Sequence, residues 1–250
     1  MTGEIIASRP NKTVFREGDQ AVKLFGADYS AADVLNEALG QARVQETGLP
    51  VPRLEEVCKR DGQWAIVSEF IEGPTLAQAM QEQPDRLEHW LDLFVTLQQE
   101  VHERRSPRLT QMHDKFHRKI SFSGLDATAR YELHNRLDAM PRHNKICHGD
   151  FIPSNVLLRG EKTPTLIDWA HVTQGNASAD AAKTYLLLLL RAETELAEQY
   201  LKLYCKKSDT ARQYIGKWLP VVAAAQLQTC REEDRAFFRG QVEQAIEARG

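Results

Sequence analysis

The apolar positions change their spacing once along the chain. Up to about residue 70 they come in short extended stretches separated by turn residues; beyond 74 they fall mostly at helical intervals. Residues 4–8 alternate weakly, Arg9-Pro10-Asn11-Lys12 reads as a turn, residues 13–17 are extended, Gly18-Asp19 signals a tight hairpin, and residues 21–25 form a strand. A helix is predicted over 33–46, with Leu35, Ala38, Leu39 and Ala42 as its apolar face and Gly48-Leu49-Pro50 as its stop. Two more strands, 51–57 and 63–70, flank the turn Lys59-Arg60-Asp61-Gly62. Helices are then predicted over 75–83, over 87–104 with Trp90, Leu91, Phe94, Leu97 and Val101 at helical spacing, and over 126–140. Further on, Ser178 is the expected N-cap of a helix to about 193, followed by helix over 195–206, a start at Ser208-Asp209, a helix with Pro220 in its first turn, and a last one over 231–248.

One extended stretch interrupts the helical part. Asn155 precedes the apolar run Val156-Leu157-Leu158; a polar turn, Arg159-Gly160-Glu161-Lys162, leads to a second run over 165–167 and then Asp168. A hairpin folded at Gly160 brings the residue before its first strand beside the residue after its second, so Asn155 and Asp168 meet at one end. An amide oxygen and a carboxylate are the hard ligands Mg²⁺ prefers, and they leave room for water and phosphate oxygens. Asp150 lies on the loop entering the hairpin, where a carboxylate can orient an acceptor hydroxyl and receive its proton. Asp and Asn before a strand are also ordinary turn residues; it is the combination that is specific.

The stretch His148-Gly149-Asp150-Phe151-Ile152-Pro153-Ser154-Asn155, followed by Ile167-Asp168-Trp169, resembles the HGDxxPxN…IDW signature of the aminoglycoside phosphotransferase and choline kinase superfamily. The resemblance implies an α+β, protein-kinase-like bilobal fold. It would have a small antiparallel N-lobe sheet with one helix over 1–73, and a mainly helical C-lobe over 74–250 that carries the catalytic hairpin and the acceptor pocket. It implies Asp150 as catalytic base, Asn155 and Asp168 as Mg²⁺ ligands, and His148 as a scaffold for the loop. Asp180 matches an Asp that the family places after the metal loop as a structural anchor, although a helix N-terminal carboxylate favoured by the dipole accounts for it equally well. Many members carry His where this chain has Ile152, so any role of that His is absent here.

The resemblance extends to the strand part. Lys23 inside the strand 21–25 and Glu37 in the following helix resemble the pair in which a Lys holds the α- and β-phosphates and a Glu steadies it. Taken alone, each would read as a solvated charge, and Glu46 is a lesser candidate than Glu37. Ile71-Glu72-Gly73-Pro74 resembles the linker between lobes; the Glu69 carbonyl and the Ile71 amide would then meet the purine edge, with Ser68 behind the base. The segment 8–13 has no glycine, unlike the phosphate-covering loop of protein kinases, which leaves Ser8, Lys12 and backbone amides as candidate phosphate contacts.

Composition narrows the function. A net charge of -3 predicts no general affinity for nucleic acid or an anionic membrane. The first ten residues do not form a signal peptide, the longest apolar run, 185–190, is too short to span a bilayer, and four scattered cysteines without CxxC spacing suit reduced thiols in a cytoplasm. His113 and His117, four apart, lack a third metal ligand at recognisable spacing and read as a polar face over the acceptor cleft. The expected activity is ATP- and Mg²⁺-dependent transfer of the γ-phosphate to a hydroxyl of a small molecule. Acidic and basic residues are roughly balanced over 74–146 and 174–250, which weighs against a polycationic aminoglycoside acceptor. The alternatives are a non-catalytic kinase-like nucleotide-binding regulator and a protein Ser/Thr kinase. Against the second, the chain has no HRD or DFG, and the short stretch from Asp168 to Ser178 leaves little room for an activation loop.

Overall fold

Lys12 to Phe25 illustrates how local chemistry sets the sheet: Gly18, at φ 60°, reverses the chain so that Glu17 pairs with Gln20 and Val14 with Lys23. The structure is a computed structural model and describes residues 3–9, 11–159 and 163–247. In chain order its elements are β1 (Glu4–Arg9), β2 (Lys12–Glu17), β3 (Gln20–Phe25), α1 (Ala31–Gln45), β4 (Leu54–Arg60), β5 (Gln63–Glu69) and α2 (Leu76–Glu82). Next come α3 (Leu87–Glu103), α4 (Met112–Ser121), α5 (Ala127–Asp138), β6 (Lys145–Cys147), β7 (Val156–Leu158), β8 (Pro164–Leu166) and β9 (Thr173–Gly175). The chain then runs through α6 (Ala177–Leu190), α7 (Thr194–Ser208), α8 (Arg212–Gly216), α9 (Leu219–Gln226) and α10 (Arg235–Glu247). The turn expected at Gly160-Glu161-Lys162, Pro10 of the expected 9–12 turn and residue 248 of the last helix lie outside the described residues.

These elements form two units, residues 1–85 with 153–172, and residues 86–152 with 173–250. In the first unit the five strands stand in the order β1-β2-β3-β5-β4, all antiparallel. Strand period two sends Val22, Leu24, Ala65 and Val67 to one face, with Phe15 and Cys58 packed on them. Phe25 and Ile66 go to the other face, where Val34 and Ala38 of α1 cover them. Ser30 caps α1 through a reciprocal pair of bonds with Asp33. The buried face of α1 is Val34, Glu37, Ala38, Gly40 and Val44; the expected Leu35 and Leu39 are 49% and 46% exposed. The helix is turned so that Glu37 faces the sheet, which corrects the face read from leucine spacing.

The hairpin β7–β8 belongs to the same unit, with Val156 opposite Leu166. It is bonded to the segment before α2, Leu158 N–H donating to the Pro74 carbonyl at 2.9 Å. Gly73, at φ 141°, is required there, because a Cβ would sit 2.1 Å from the Leu158 oxygen.

In the second unit, α6 and α9 are the most apolar helices. Every residue from Ala177 to Leu186 is buried, as is every residue from Pro220 to Ala225. Residues 173–175 form β9 and pair with β6; strands of three residues are too short to show a periodicity. The N-cap of α6 is Asn176, whose side chain accepts from the Ser178 N–H, and not Ser178 itself. Ser208-Asp209 ends α7 instead of starting a helix: Asp209 is the left-handed C-cap, at φ 50°. Among the described residues, no helix is long and apolar enough to cross a membrane.

Candidate active site

Strand alternation places Lys23 on the α1 side of the sheet, beside Phe25, and helical spacing places Glu37 between Val34 and Ala38. Lys23 Nζ therefore meets Glu37 Oε1 at 2.5 Å. The same ammonium donates to Asp168 Oδ1 at 2.9 Å. Lys12 lies on the other side of Glu37, 3.4 Å from Oε2, with its ammonium 4.8 Å from the centre of the Tyr29 ring. Two ammoniums and two carboxylates thus share one place in the first unit. Burial would lower the Lys23 pKa, but the Asp168 and Glu37 carboxylates overcome it and raise the group above its ordinary value. Burial would raise Asp168; the Lys23 charge and hydrogen bond, with Lys12 behind them, hold it well below the usual carboxylate range.

Asp168 reaches this point from a left-handed backbone, φ 64° and ψ 64°. Among residues with a side chain, Asn and Asp adopt that region more readily than most. The turn after it is fixed by Trp169, fully buried, whose indole N–H donates to the Leu166 carbonyl at 2.9 Å. Ile167 N–H donates to the Asn155 carbonyl at 2.9 Å, one pair beyond the β7–β8 register. That bond sets Asn155 next to the step carrying Asp168, at one end of the hairpin. An amide oxygen and an ionised carboxylate there are a donor set that fits a hard divalent cation. Ser68 and Glu69 end β5 and Ile71 follows it, buried. Glu69 accepts from the Arg159 guanidinium at 2.6 Å, so its side chain is engaged along the hairpin.

In the second unit the loop after β6 is held backbone group by backbone group. Asp180, in the first turn of α6, accepts from His148 N–H at 3.1 Å and from Gly149 N–H at 2.7 Å. His148 Nδ1 accepts from Asp150 N–H at 3.1 Å, so the ring supports the residue after next. Thr184, one turn along α6, donates to the Phe151 carbonyl at 2.8 Å. Gly149 takes φ 77°, which allows the tight path between His148 and Asp150. Behind Asp180 stands His102 of α3, with Nε2 3.0 Å from Oδ2 and Nδ1 3.2 Å from the Tyr204 hydroxyl. Burial would raise the Asp180 pKa, but His102, His148 and the Gly149 N–H keep it below its ordinary value. Gln98 and Tyr200 support Thr184 in the same way, at 3.3 Å and 2.6 Å along the chain of bonds.

The sequence singled out Asp180 and His148; it did not single out His102, Gln98, Thr184, Tyr200 or Tyr204. A signal was present. Gln98 and His102 interrupt the apolar stripe of α3 four residues apart, and a polar residue on a buried stripe needs a partner. Among the described residues, His102, Cys147 and Asp180 are the one group of three with metal-ligand atoms close together. Its His and Asp are accounted for by the loop bonds, and burial raises the Cys147 thiol well above its ordinary range. His113 and His117 turn to separate partners: His113 Nε2 lies 3.2 Å from the Met140 carbonyl, and His117 lies 2.8 Å from His134 and 2.9 Å from Asp138.

A left-handed Asp after a hairpin, a strand Lys paired with a helix Glu, and a backbone-anchored HGD loop define a protein-kinase-like phosphotransferase fold. The model of the phosphotransferase enzyme family matches residues 3–215, and the chain belongs to that family; it is a small-molecule phosphotransferase. Among solved structures, it is similar to a thermostable mutant of aminoglycoside phosphotransferase APH(4)-Ia, with 14% identity over 99% of this chain and 94% of that one and a TM-score of 0.74. It is also similar to an aminoglycoside-3'-phosphotransferase of type VIII, with 20% identity, coverage of 88% and 90%, and a TM-score of 0.65. A choline/ethanolamine kinase family protein from Mesorhizobium loti gives 17%, 98% and 88%, and 0.63. At these identities the likeness is one of fold. No curated protein matches the chain.

Proposed function

We propose that this protein transfers the γ-phosphate of ATP, with Mg²⁺, to a hydroxyl of a small molecule. The observation that carries the reading is the single ammonium of Lys23 shared between Glu37 and Asp168, 2.5 Å and 2.9 Å away. Such a group, fixed by a helix carboxylate, is what an α- or β-phosphate needs as a partner. Lys23 is the phosphate-holding residue and Glu37 its positioning residue. Lys12, 3.4 Å from Glu37, is a further candidate phosphate contact. The Glu69 carbonyl and the Ile71 amide meet the purine, with Ser68 behind it. Residues 1–73 act as the nucleotide lobe and residues 74–250 as the catalytic and acceptor lobe. A solved relative of the same fold, APH(4)-Ia, was crystallised as a ternary complex with AMP-PNP and hygromycin B, which supports a nucleotide as one ligand.

Asn155 and Asp168 would hold the metal. When bound, Mg²⁺ supplies positive charge to the β- and γ-phosphates. Asp150 orients the acceptor hydroxyl for in-line attack and takes its proton as the new P–O bond forms and the γ-phosphorus bond to the departing ADP breaks. His148, Asp180, His102 and Thr184 fix the loop that carries Asp150, so little reorganisation is left for the reaction itself. The four cysteines are all free thiols, which suits a reducing cytoplasm. The test is calorimetric titration of ATP with and without Mg²⁺. Wild-type protein is expected to bind tightly only with the metal, and Asp168→Ala is expected to lose the metal-dependent part. Equal binding by the two proteins contradicts the assignment of Asp168.

A further inference from the structure

Phosphotransfer as proposed uses neither His113 nor His117, yet the fold gives His117 a second histidine as neighbour. Helices α4 and α5 pack on one another. His117 of α4 meets His134 of α5, Nδ1 to Nδ1 at 2.8 Å, with the ring planes 17° apart. Each ring is backed by the opposite helix. His117 Nε2 lies 2.9 Å from Asp138 Oδ1, one turn beyond His134. His134 Nε2 lies 3.4 Å from Ser121 Oγ, one turn beyond His117, and Ser121 Oγ donates to the His117 carbonyl at 3.0 Å. His113, in contrast, is buried and turned to the Met140 carbonyl.

The partners decide the tautomers. An ionised carboxylate only accepts, so His117 Nε2–H donates to Asp138. The neutral ring then has a lone pair at Nδ1, and His134 Nδ1–H donates to it. Moving that one proton within the His134 ring, from Nδ1 to Nε2, directs it at Ser121 Oγ, whose lone pairs can accept. Both Nδ1 lone pairs then face one point, and no proton leaves the pair.

Two imidazole nitrogens aimed at one point are ligands for Zn²⁺, Ni²⁺ or Cu²⁺ and poor ones for Mg²⁺. A carboxylate on the far nitrogen is the arrangement that orients metal-binding histidines and raises their basicity. Zn–N bonds of about 2.0–2.1 Å at a tetrahedral angle set the nitrogens roughly 3.4 Å apart, so the pair need open by only about half an ångström. An ion can reach the place from solvent, because the His117 and Asp138 side chains are 29% and 58% exposed. Arg130, one turn before His134, has its guanidinium on the Leu125 carbonyl at 3.1 Å.

We propose that His117 and His134 form a binding site for one first-row divalent metal ion of the Zn²⁺ or Ni²⁺ type, with Asp138 orienting His117 and water completing the coordination. The ion clasps α4 to α5. Its ligands are separate from Asn155 and Asp168, which belong to the other unit, and the site does not rest on the phosphotransferase reading.

The test is calorimetric titration of the whole chain, without an affinity tag, with NiCl₂ at pH 8, where imidazole is neutral, and with Mg²⁺ present throughout to fill hard-oxygen sites. Wild-type protein is expected to take up one Ni²⁺ in its tightest phase and to gain Tm with the ion. His117→Gln and His134→Gln are each expected to lose about tenfold or more in affinity. Asp138→Asn, which keeps both imidazoles, is expected to lose about tenfold. His89→Gln, on the exposed side of α3, is expected to bind as wild-type does. Unchanged affinity in His117→Gln or His134→Gln, or an equal loss in His89→Gln, overturns the site. Pulsed EPR of wild-type protein with one equivalent of Cu²⁺ counts the imidazoles on the ion without any substitution, so a variant that fails to fold does not decide the matter. Two imidazoles are expected; one or none overturns the proposal.

Discussion

Replacing Asp180 separates two readings of one carboxylate. As a helix N-terminal charge in the first turn of α6 it would contribute about 0.3–1 kcal/mol through the dipole. As the acceptor of bonds from His148 N–H, Gly149 N–H and His102 Nε2 it does much more. Asp180→Ala leaves those buried donors unmet; each costs roughly 1–3 kcal/mol, and breaking a buried charged pair typically costs about 3–5 kcal/mol. A loss of about 4 kcal/mol corresponds to a fall in Tm on the order of 10 °C for a chain of this size. The loop carrying Asp150 would loosen as well. Misplacing a reacting group by about an ångström costs roughly 10²-fold in rate, so kcat is expected to fall by that order. The KM for ATP is expected to stay within about twofold, because Lys23, Glu37 and Asp168 belong to the other unit. Thermal unfolding and steady-state kinetics on wild-type, Asp180→Asn and Asp180→Ala provide the readouts, with Asp180→Asn expected in between, since its amide oxygen can still accept. A Tm change of only a few degrees with kcat intact in Asp180→Ala would reduce Asp180 to a dipole charge and refute the anchoring role.

Other outcomes follow from the same geometry. Gly73→Ala puts a methyl group 2.1 Å from the Leu158 oxygen at a φ of 141°, so a loss of more than about 2 kcal/mol is expected in urea unfolding; an unchanged midpoint contradicts the packing of the linker on the hairpin. Stability is expected to rise with pH from about 7 towards 10. Lys115 and Lys119, at about 7 and about 8 in the fold, release protons that the unfolded chain retains up to its ordinary lysine range near 10.5. Lys23 has the opposite sign: its contribution is complete below 10.5 and fades only as pH passes its raised value. Tm measured across that range should climb in wild-type and climb less in Lys115→Met; parallel profiles contradict the burial of Lys115. Removing Asp168 should also lower the acid stability margin. Its depressed pKa contributes stability above the ordinary carboxylate range that is lost as pH falls through its folded value, so the Tm difference between wild-type and Asp168→Ala should shrink below about pH 4.

The sheet and the long helices could be read from the chain because their patterns are long. Gly18-Asp19 and the strands on either side came out as expected, and so did α3 with its wide apolar stripe. The face of α1 was misread because leucine spacing favours Leu35 and Leu39, whereas the fold buries Glu37 to pair with Lys23 and leaves both leucines outside. Burial of a charge is decided by a partner 14 positions away, which no local periodicity can encode. The same holds for β6 and β9, three residues each and paired across the Asp150 loop and the hairpin. His102 and Thr184 are missing from the reading for that reason too: His102 meets the Asp180 carboxylate 78 residues away and Thr184 donates to loop backbone 33 residues away, distances that no local pattern spans. The motif residues were legible because their spacing in the chain is itself the geometry, with the Asn155 carbonyl meeting Ile167 N–H one step before Asp168.

The most direct measurement is ATP consumption with Mg²⁺ by purified wild-type protein and Asp150→Asn, over hydroxy acids, phosphate monoesters, sugars, amino alcohols and aminoglycosides. At least one hydroxyl compound should stimulate the wild-type protein. Asp150→Asn should bind ATP as wild-type does and lose that stimulation by about 10³-fold or more. Equal turnover by the two proteins on the same acceptor would show that Asp150 is not the base, and the mechanism built on it would fail.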